Sequence, residues 1–215
     1  MNVADVVGER GIERVLHFTT NRGLCGVLAD GQLLSRQRLP ESKYLKHVYR
    51  PNASVRKDVA WLDYVNLSIS RLNWEFFEHS QRWHADRDVW WCALVLDPAV
   101  LSLDGVTFAT TNNIYSGCER GTGAEGLEAM FAPRVCRWAG NCVERFDGMP
   151  RSWTTCHQAE ALVPESVSVE HLRRICVATH AHADIAASQC DILLNASMPS
   201  LPIDIDPHAF APPAR

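Results

Sequence analysis

The most informative segment of the chain is Thr154-Thr155-Cys156-His157-Gln158-Ala159-Glu160-Ala161-Leu162-Val163. Its polar turn residues run into a short strand, on which Gln158 and Glu160 project from one face and the alanines from the other. A carboxylate on an apolar strand is costly to bury unless it is paired or used in chemistry. By itself, this segment predicts an edge strand with one face in solvent. Whether Glu160 has a further role depends on the rest of the chain.

The composition is that of a folded soluble protein with a sizeable core. The chain has 215 residues, of which 47% are hydrophobic and 21% charged. The longest apolar run, Val89 to Leu96, is too short to span a membrane. Asp5, Glu9 and Arg10 stand where a signal peptide needs an apolar stretch. We therefore expect a cytoplasmic protein with no membrane contact.

Charge is distributed unevenly along the chain. The net charge of −4 argues against a protein coated for general nucleic-acid binding. Residues 34–57 nevertheless carry seven basic residues and only one acid, and residues 134–151 carry four arginines and two acids. Basic patches on an acidic body favour an anionic ligand held at one site.

Eight cysteines are many for a cytoplasmic chain, but none forms a CxxC pair. We expect reduced and mostly buried thiols. The alternative is a zinc site made of Cys118, Cys136, Cys142 and His157, whose spacing is not that of a zinc finger or ribbon. No metal is therefore predicted.

Residue periodicity predicts alternating strands and helices up to about residue 131. We expect strands over Val15–Thr19, Tyr64–Ser70, Val89–Leu96 and Val106–Thr110, and helices through Leu24, Val27 and Leu28, over Asn73–Trp83 and over Glu125–Phe131. Thr20-Asn21 is the expected N-cap of the first helix and Asp30-Gly31 its stop. The aromatic residues of Asn73–Trp83 are expected to pack in the core.

Two long loops interrupt this pattern. Residues 35–61 are predicted to form a basic loop with one helical turn, and residues 132–155 a second loop in which arginines alternate with tryptophans. The second loop suits unpaired bases, because bases stack on aromatic side chains. It equally suits a small aromatic core of its own. Its candidate substrate-binding residues are Arg134, Arg137, Trp138, Arg151 and Trp153.

The C-terminal part completes the domain. A helix over Val169–Arg174, a strand over Ile175–Thr179 and a helix over Ala183–Cys190 follow the Glu160 strand. Five of the eleven prolines lie in the last 21 residues. This predicts one domain over residues 1–194 and an extended or disordered tail over 195–215.

Polar signals stand on three separate predicted strands, at His17 and Thr19, at Ser68 and Ser70, and at Gln158 and Glu160. Five segments over residues 15–180 follow one another along the chain: His17-Phe18-Thr19-Thr20-Asn21, Arg56-Lys57-Asp58 ahead of Leu67-Ser68-Ile69-Ser70, Trp91 to Pro98 with Thr111-Asn112-Asn113, Glu128-Ala129-Met130-Phe131, and Gln158 to Leu162. With these segments in this order, the chain resembles the DarT family of DNA ADP-ribosyltransferase toxins, within the wider ADP-ribosyltransferase fold.

The resemblance implies an α+β fold, in which a split, strongly bent β-sandwich core with flanking helices holds NAD in a cleft. It implies that Glu160 is catalytic and that Arg56, or Arg50 as a rival because loop length varies there, is the functional arginine. The residues implied to bind NAD are His17, Phe18, Thr19, Asn21, Ser68 and Arg56. A macrodomain-type antitoxin is the implied partner, and we expect the enzyme to be a monomer.

These residue types suit the chemistry of the family. Breaking the bond between nicotinamide and ribose creates an oxocarbenium-like centre, which a carboxylate such as Glu160 stabilises. A guanidinium such as that of Arg56 binds phosphate oxygens two at a time. Gln158 is expected to orient the acceptor, a nucleobase of single-stranded DNA presented unpaired. The sequence does not select the base.

Three alternatives remain beside this prediction. The first is that the acceptor is RNA. The second is that the chain is a catalytically inactive binding module, and the presence of His17, Arg56 and Glu160 argues against this. A Cys156/His157 hydrolase is the third. Neighbouring strand residues point to opposite faces, so these two cannot form a nucleophile–base pair.

Overall fold

The computed structural model describes residues 1–39, 59–83, 88–194 and 200–211. Its strands are β1 (Val15–Thr20), β2 (Gln32–Leu34), β3 (Tyr64–Ile69), β4 (Trp91–Leu96), β5 (Thr107–Ala109), β6 (Arg120–Thr122), β7 (Arg134–Trp138), β8 (Asn141–Glu144), β9 (Glu160–Pro164), β10 (Ser166–Ser168), β11 (Leu172–Val177) and β12 (Ile203–Ile205). Its α-helices are α1 (Val3–Arg10), α2 (Asn21–Asp30), α3 (Trp74–Trp83), α4 (Gly123–Ala129) and α5 (His180–Leu193). The predicted α+β class is confirmed.

An eight-stranded sheet in the order β12-β11-β4-β1-β3-β9-β5-β6 carries the fold. The sheet is divided at its middle, between β1 and β3. Strand β1 pairs with β4 over six positions but with β3 over only two, Val15↔Ile69 and Leu16↔Ser68. Beyond Leu16 the two halves of the sheet separate, and His17 lies at the start of this opening. The pairing thus accounts for a split sheet.

The main core lies on one face of the sheet. It contains alternate residues of β3, β4, β9 and β11 together with Leu24, Val27 and Leu28 of α2. Of the predicted cap Thr20-Asn21, Thr20 is the N-cap of α2 and accepts a hydrogen bond from Gly23 N, and of the predicted stop Asp30-Gly31, Gly31 follows the last turn with a φ of 65°. The short helix α1 packs beside α4 through an ion pair between Arg10 and Glu128.

The prediction of an edge strand for the Glu160 segment is wrong. Strand β9 lies between β3 and β5, pairing with both in antiparallel register. Glu160 is only 7% exposed. Side-chain alternation reveals which residues share a face, but it does not reveal how many neighbours a strand has.

The prediction of a loop over residues 132–155 is incomplete. Strands β7 and β8 form an antiparallel hairpin there, and a disulfide joins Cys136 to Cys142 at a paired position. The expectation of reduced thiols is therefore wrong for these two cysteines. It agrees with the other six, which are free and, except for the half-buried Cys25, buried.

The C-terminal region also differs from the prediction. Residues 203–205 are extended, as expected, but they form β12 and pair in parallel with β11 instead of leaving the domain as a tail. Phe210 packs on Phe77, with ring centroids 5.7 Å apart. The predicted helix over Val169–Arg174 is one 3-10 turn, Val169–His171, followed by β11. No helix within the described ranges is long and apolar enough to cross a membrane.

Candidate active site

Glu160 opens β9 with its carboxylate inside the protein. Its Oε1 accepts a hydrogen bond from Asn66 Nδ2 at 3.1 Å, and its Oε2 accepts one from the backbone N of Asn113 at 2.9 Å. Hydrogen bonds from N–H donors to a carboxylate are short and strong compared with neutral ones. Both oxygens are therefore held in fixed positions by two different strands or loops.

His17 is linked to Glu160 through Asn66. The Nδ1 of His17 is 3.0 Å from the backbone carbonyl of Asn66. A carbonyl only accepts, so Nδ1 carries the hydrogen and Nε2 of the neutral ring is an acceptor. Burial lowers the pKa of His17 from its ordinary 6.5, with the bond to Asn66 opposing this in part. The ring is thus neutral near pH 7.

The other residues expected beside His17 have structural partners. Phe18 points to the opposite face and packs against Phe76, Phe77 and Trp91, with ring centroids 5.2–5.8 Å apart. Asn21 Nδ2 donates to Asp88 O at 3.0 Å.

Thr19 and Ser68 are likewise packed. Thr19 lies against the first turn of α2, where a Cβ on Gly23 would come within 2.0 Å of Thr19 Oγ1. Only glycine fits there. Ser68 Oγ accepts a hydrogen bond from Asn73 N at 3.3 Å, just before α3 begins. The contacts of Phe18, Thr19, Asn21 and Ser68 alone assign them no ligand.

Gln158 does not share the partners of Glu160. Its Nε2 donates to Glu75 Oε2 on α3, while its Oε1 is buried with no partner among the described residues. The other carboxylate oxygen of Glu75, Oε1, lies 3.1 Å from His157 Nε2 and 3.8 Å from Arg137 Nη2. Burial lowers the pKa of His157, and Glu75 opposes this effect. The segment before Glu160 is therefore held to α3 by a cluster of polar side chains.

The predicted substrate-binding residues fall into two groups. Arg137, whose side chain is 15% exposed, is partly enclosed beside Glu75, and Trp153 lies under the guanidinium of Arg71 at 4.5 Å. Arg134 and Arg151 are exposed. Trp138 is 42% exposed and contacts Tyr115 edge-on, with ring centroids 5.1 Å apart. Residues 132–155 thus contain part of each predicted feature. They have enclosed side chains that pack within the protein, and they have exposed basic and aromatic side chains that could meet a nucleic acid.

Arg56 and Arg50 lie outside the described residues, and the structure does not decide between them. For the alternative zinc site, Cys136 and Cys142 are bonded to each other and so are not available as ligands. Within the described part of the chain, no group of three or more His, Cys, Asp or Glu side chains could hold a metal ion.

The hydrolase alternative also lacks its pair. Cys156 Sγ is 3.1 Å from Thr111 Oγ1, whereas His157 turns to Glu75. A nucleophilic thiol needs a base within hydrogen-bond reach. The described contacts do not provide one.

Sequence reasoning missed Asn66 and the role of Asn113 beside Glu160. Asn66 was visible only as a polar residue on a strand face with Ser68. Asn113 is the last residue of a polar triplet after β5, and it binds through a backbone group that no side-chain pattern reveals. In chemical terms, the site offers a buried carboxylate and a neutral imidazole acceptor at one opening of a sheet. Such a pair can stabilise positive charge and accept hydrogen bonds from hydroxyl groups.

The sequence matches a protein family over residues 16–211, described as "ssDNA thymidine ADP-ribosyltransferase, DarT". No curated protein matches the chain by sequence.

Solved structures resemble this fold at low sequence identity. Thermus sp. 2.9 DarT in complex with carba-NAD+ is 15% identical, with a TM-score of 0.63 over 92% of this chain and 97% of that one. The same protein in complex with ADP-ribosylated ssDNA is also 15% identical, with a TM-score of 0.63 over 93% and 97%. Thermosipho africanus DarTG in complex with ADP-ribose is 13% identical, with a TM-score of 0.56 over 94% of this chain but only 52% of that one.

Proposed function

The chain belongs to the DarT family of ssDNA thymidine ADP-ribosyltransferases, and we propose that it transfers ADP-ribose from NAD+ to a thymidine base of single-stranded DNA, releasing nicotinamide. The observation that carries this proposal is the placement of Glu160. Its carboxylate is buried, bonded to Asn66 and Asn113, and linked through Asn66 to His17. The thymidine acceptor follows from the family, since the sequence alone does not select a base.

Glu160 is the proposed catalytic residue. As the bond between nicotinamide and C1′ of the ribose lengthens, positive charge develops on the sugar, and a nearby carboxylate stabilises it. Because the two N–H donors hold the carboxylate in place, little reorganisation is needed when this charge appears. Glu160 also accepts a hydrogen bond from the ribose 2′-hydroxyl in this proposal.

His17 is proposed to hold the nicotinamide end of NAD+. With Nδ1 donating to Asn66 O, Nε2 is available to accept from a hydroxyl of the ligand. Phe18, Thr19, Asn21 and Ser68 support this region, through the packing and hydrogen bonds described above. Arg56, or Arg50, is proposed to bind the pyrophosphate or stabilise the leaving group.

Gln158 and the exposed part of the second loop are proposed to hold the acceptor. Arg134 and Arg151 are exposed and suited to phosphates, while Trp138 offers a ring face to a base. Arg137 and Trp153 contribute by fixing the loop from inside, since Arg137 faces Glu75 and Trp153 lies under Arg71. The target base must be unpaired, because a stacked and paired thymine hides its reactive edge.

The protein is further proposed to be a toxin that acts as a monomer in the cytoplasm and has a macrodomain-type antitoxin as partner. The resemblance of the sequence to the DarT toxins supports this partner. Thermosipho africanus DarTG, which this chain covers over about half its length, leaves room for a second domain in that protein.

The experiment that tests the proposal is incubation of the protein with labelled NAD+ and separate pools of single-stranded DNA, duplex DNA, RNA and protein. We expect label in the single-stranded DNA alone, and mass spectrometry should place it on thymidine. A matched oligonucleotide without thymidine should remain unlabelled. Label in RNA or protein, or in the thymidine-free DNA, would contradict the proposed acceptor.

A further inference from the structure

The loop between β5 and β6, residues 110–119, carries one of the two donors that hold Glu160. It is closed on itself by backbone hydrogen bonds. Thr110 N donates to Glu119 O at 3.0 Å, Tyr115 N to Asn112 O at 3.0 Å, and Cys118 N to Tyr115 O at 3.1 Å. Asn113, which is 3% exposed, sits in this loop with its N–H directed at Glu160 Oε2.

Arg120, at the start of β6, binds the same residue from the other side. Its Nε donates to Asn113 Oδ1 at 2.6 Å, and its Nη2 donates to the backbone carbonyl of Asn113. A weaker hydrogen bond joins its Nη1 to Cys118 O at 3.4 Å. The guanidinium also lies over the ring of Trp61, 5.6 Å from its centroid. One planar fork thus holds both oxygens of Asn113.

We propose that Arg120 is a positioning residue for catalysis, which acts through Asn113 to fix the carboxylate of Glu160. The inference rests on the proposed function of Glu160 and deepens it. Asn113 is held at its side-chain oxygen and its carbonyl oxygen, so its own N–H has little freedom to turn away from Glu160 Oε2. In this proposal, Arg120 acts only through Asn113 and does not itself contact the reacting atoms.

The choice of asparagine at position 113 agrees with this role. Its Nδ2 is buried with no partner in the described part of the chain. A buried unsatisfied donor is unfavourable. An aspartate at this position would accept the same two hydrogen bonds from Arg120, through its side-chain and backbone oxygens, and would bury no unsatisfied donor. Aspartate would, however, place a second carboxylate beside Glu160, where like charges repel. Asparagine therefore satisfies Arg120 while leaving Glu160 as the single carboxylate of this network.

Arginine at position 120 has a matched control at position 173. Arg173 is also exposed and donates to Asp97 through Nε at 2.9 Å and Nη2 at 2.6 Å, with a weaker bond from Nη1 to Glu170 O at 3.4 Å. It belongs to β11 and is not in contact with Asn113 or Glu160. Loss of either arginine removes a surface side chain with two strong hydrogen bonds, but only Arg120 is connected to the proposed site.

The test measures kcat, KM for NAD+ and thermal stability for Arg120→Ala, Arg120→Lys and Arg173→Ala. We expect Arg120→Ala to lower kcat about 10- to 100-fold, with KM for NAD+ and the melting temperature close to those of Arg173→Ala. Arg120→Lys should recover only part of the rate, because an ammonium group does not match both oxygens as the planar fork does. A kcat for Arg120→Ala equal to that of Arg173→Ala, or a loss explained by unfolding at the assay temperature, would overturn the proposal.

A second measurement separates this inference from the proposed function. The backbone amide resonance of Asn113 in an NMR spectrum reports its hydrogen bond to Glu160 without any assay of activity. We expect Arg120→Ala and Glu160→Gln to shift this resonance and Arg173→Ala to leave it unchanged. If Arg120→Ala does not move it, the positioning role is wrong. If it moves while the wild-type protein labels no DNA, the geometry stands and the proposed function fails.

Discussion

Asn66 Nδ2 donates a hydrogen bond to Glu160 Oε1 over 3.1 Å, across the neighbouring antiparallel strands β3 and β9. In the register of this pair Asn66 stands opposite Leu162, so Glu160 is its diagonal neighbour on the same face. The backbone carbonyl of Asn66 also accepts from His17. One residue on the central strand thus joins the two side chains to which the proposed chemistry assigns the ribose and the nicotinamide end of NAD+.

Replacement of Asn66 should therefore impair transfer. Asn66→Ala removes one hydrogen bond to a charged group, which typically contributes about 1.5–3 kcal/mol, so we expect kcat to fall roughly 10- to 150-fold. Asn66→Asp has nearly the same shape but places a carboxylate against Glu160, and it should be at least as inactive. Steady-state kinetics on a thymidine-containing oligonucleotide measure both.

The control for Asn66→Asp is Asn112→Asp on the neighbouring loop. Asn112 Oδ1 accepts from Ile114 N at 3.1 Å, and aspartate keeps that acceptor. Its rate should stay close to wild type. Equal losses in Asn66→Asp and Asn112→Asp would show that any added charge near the loop is harmful, and the specific contact with Glu160 would lose its support.

The half-buried imidazole of His17 should make the stability of the protein depend on pH. Because its pKa is lowered from 6.5 in the folded state by burial, the unfolded chain binds a proton first as the pH falls. The contribution of His17 to the free energy of unfolding is complete above about pH 6.5, the pKa of histidine in the unfolded chain. It decreases as the pH falls from 6.5 through the lower pKa of the folded state. Urea unfolding of wild type and His17→Gln from pH 7.5 to 4.5 measures the difference.

The stability of His17→Gln should decrease less steeply than that of wild type through the acid part of this range. His208→Gln, an exposed histidine on the last 3-10 turn, serves as the control. Parallel curves of unfolding free energy against pH for wild type and His17→Gln would mean that the pKa of His17 is not lowered in the folded protein.

Exposed arginines in the second loop should contribute to DNA affinity through phosphate contacts. Arg134→Ala and Arg151→Ala should each weaken binding of single-stranded DNA of any sequence. Each should also reduce the slope of log K against log salt by about 0.7, the value for one phosphate contact on a single strand. Fluorescence anisotropy with a labelled oligonucleotide at several salt concentrations gives the slope. Arg173→Ala is the control, and a slope unchanged in both loop variants would place the DNA elsewhere.

The hairpin disulfide should contribute to stability. It closes a loop with a sequence separation of 6, for which chain entropy predicts about 2 kcal/mol. We expect the double variant Cys136→Ser/Cys142→Ser to lose this amount in urea unfolding, with little change in NAD+ binding. Alkylation of the unfolded, unreduced protein should modify the six free cysteines and spare this pair. Modification of all eight cysteines without reductant would contradict the bond.

The sequence predicts elements well where a local rule determines them. The strands of His17 and Glu160 follow from alternation, and the helix between residues 20 and 31 follows from Thr20-Asn21 as a cap and Asp30-Gly31 as a stop. Residues 203–205 were misplaced because proline content suggested a tail, whereas the parallel pairing with β11 depends on contacts between distant parts of the chain.

The same distinction applies to the site. Glu160 is predicted from its unusual position on an apolar strand, together with the family resemblance. Its hydrogen-bond partners are not predictable from the sequence, since Asn66 lies 94 residues before it and Asn113 lies 47 residues before it. Such contacts depend on strand order and on the path of the loop after β5. Cys136 and Cys142 face each other only because β7 and β8 pair. Neither the spacing of the two cysteines nor the composition of the segment that contains them indicates that pairing.

The most direct test of the account compares wild type with Glu160→Gln, an exchange that keeps the size of the side chain and removes its negative charge. Calorimetry measures NAD+ binding, and mass spectrometry measures ADP-ribose transfer to a thymidine-containing single strand. The account predicts NAD+ affinity within about threefold of wild type and a transfer rate reduced by roughly 10²–10³-fold or more. Transfer near the wild-type rate by Glu160→Gln would contradict the role assigned to this carboxylate.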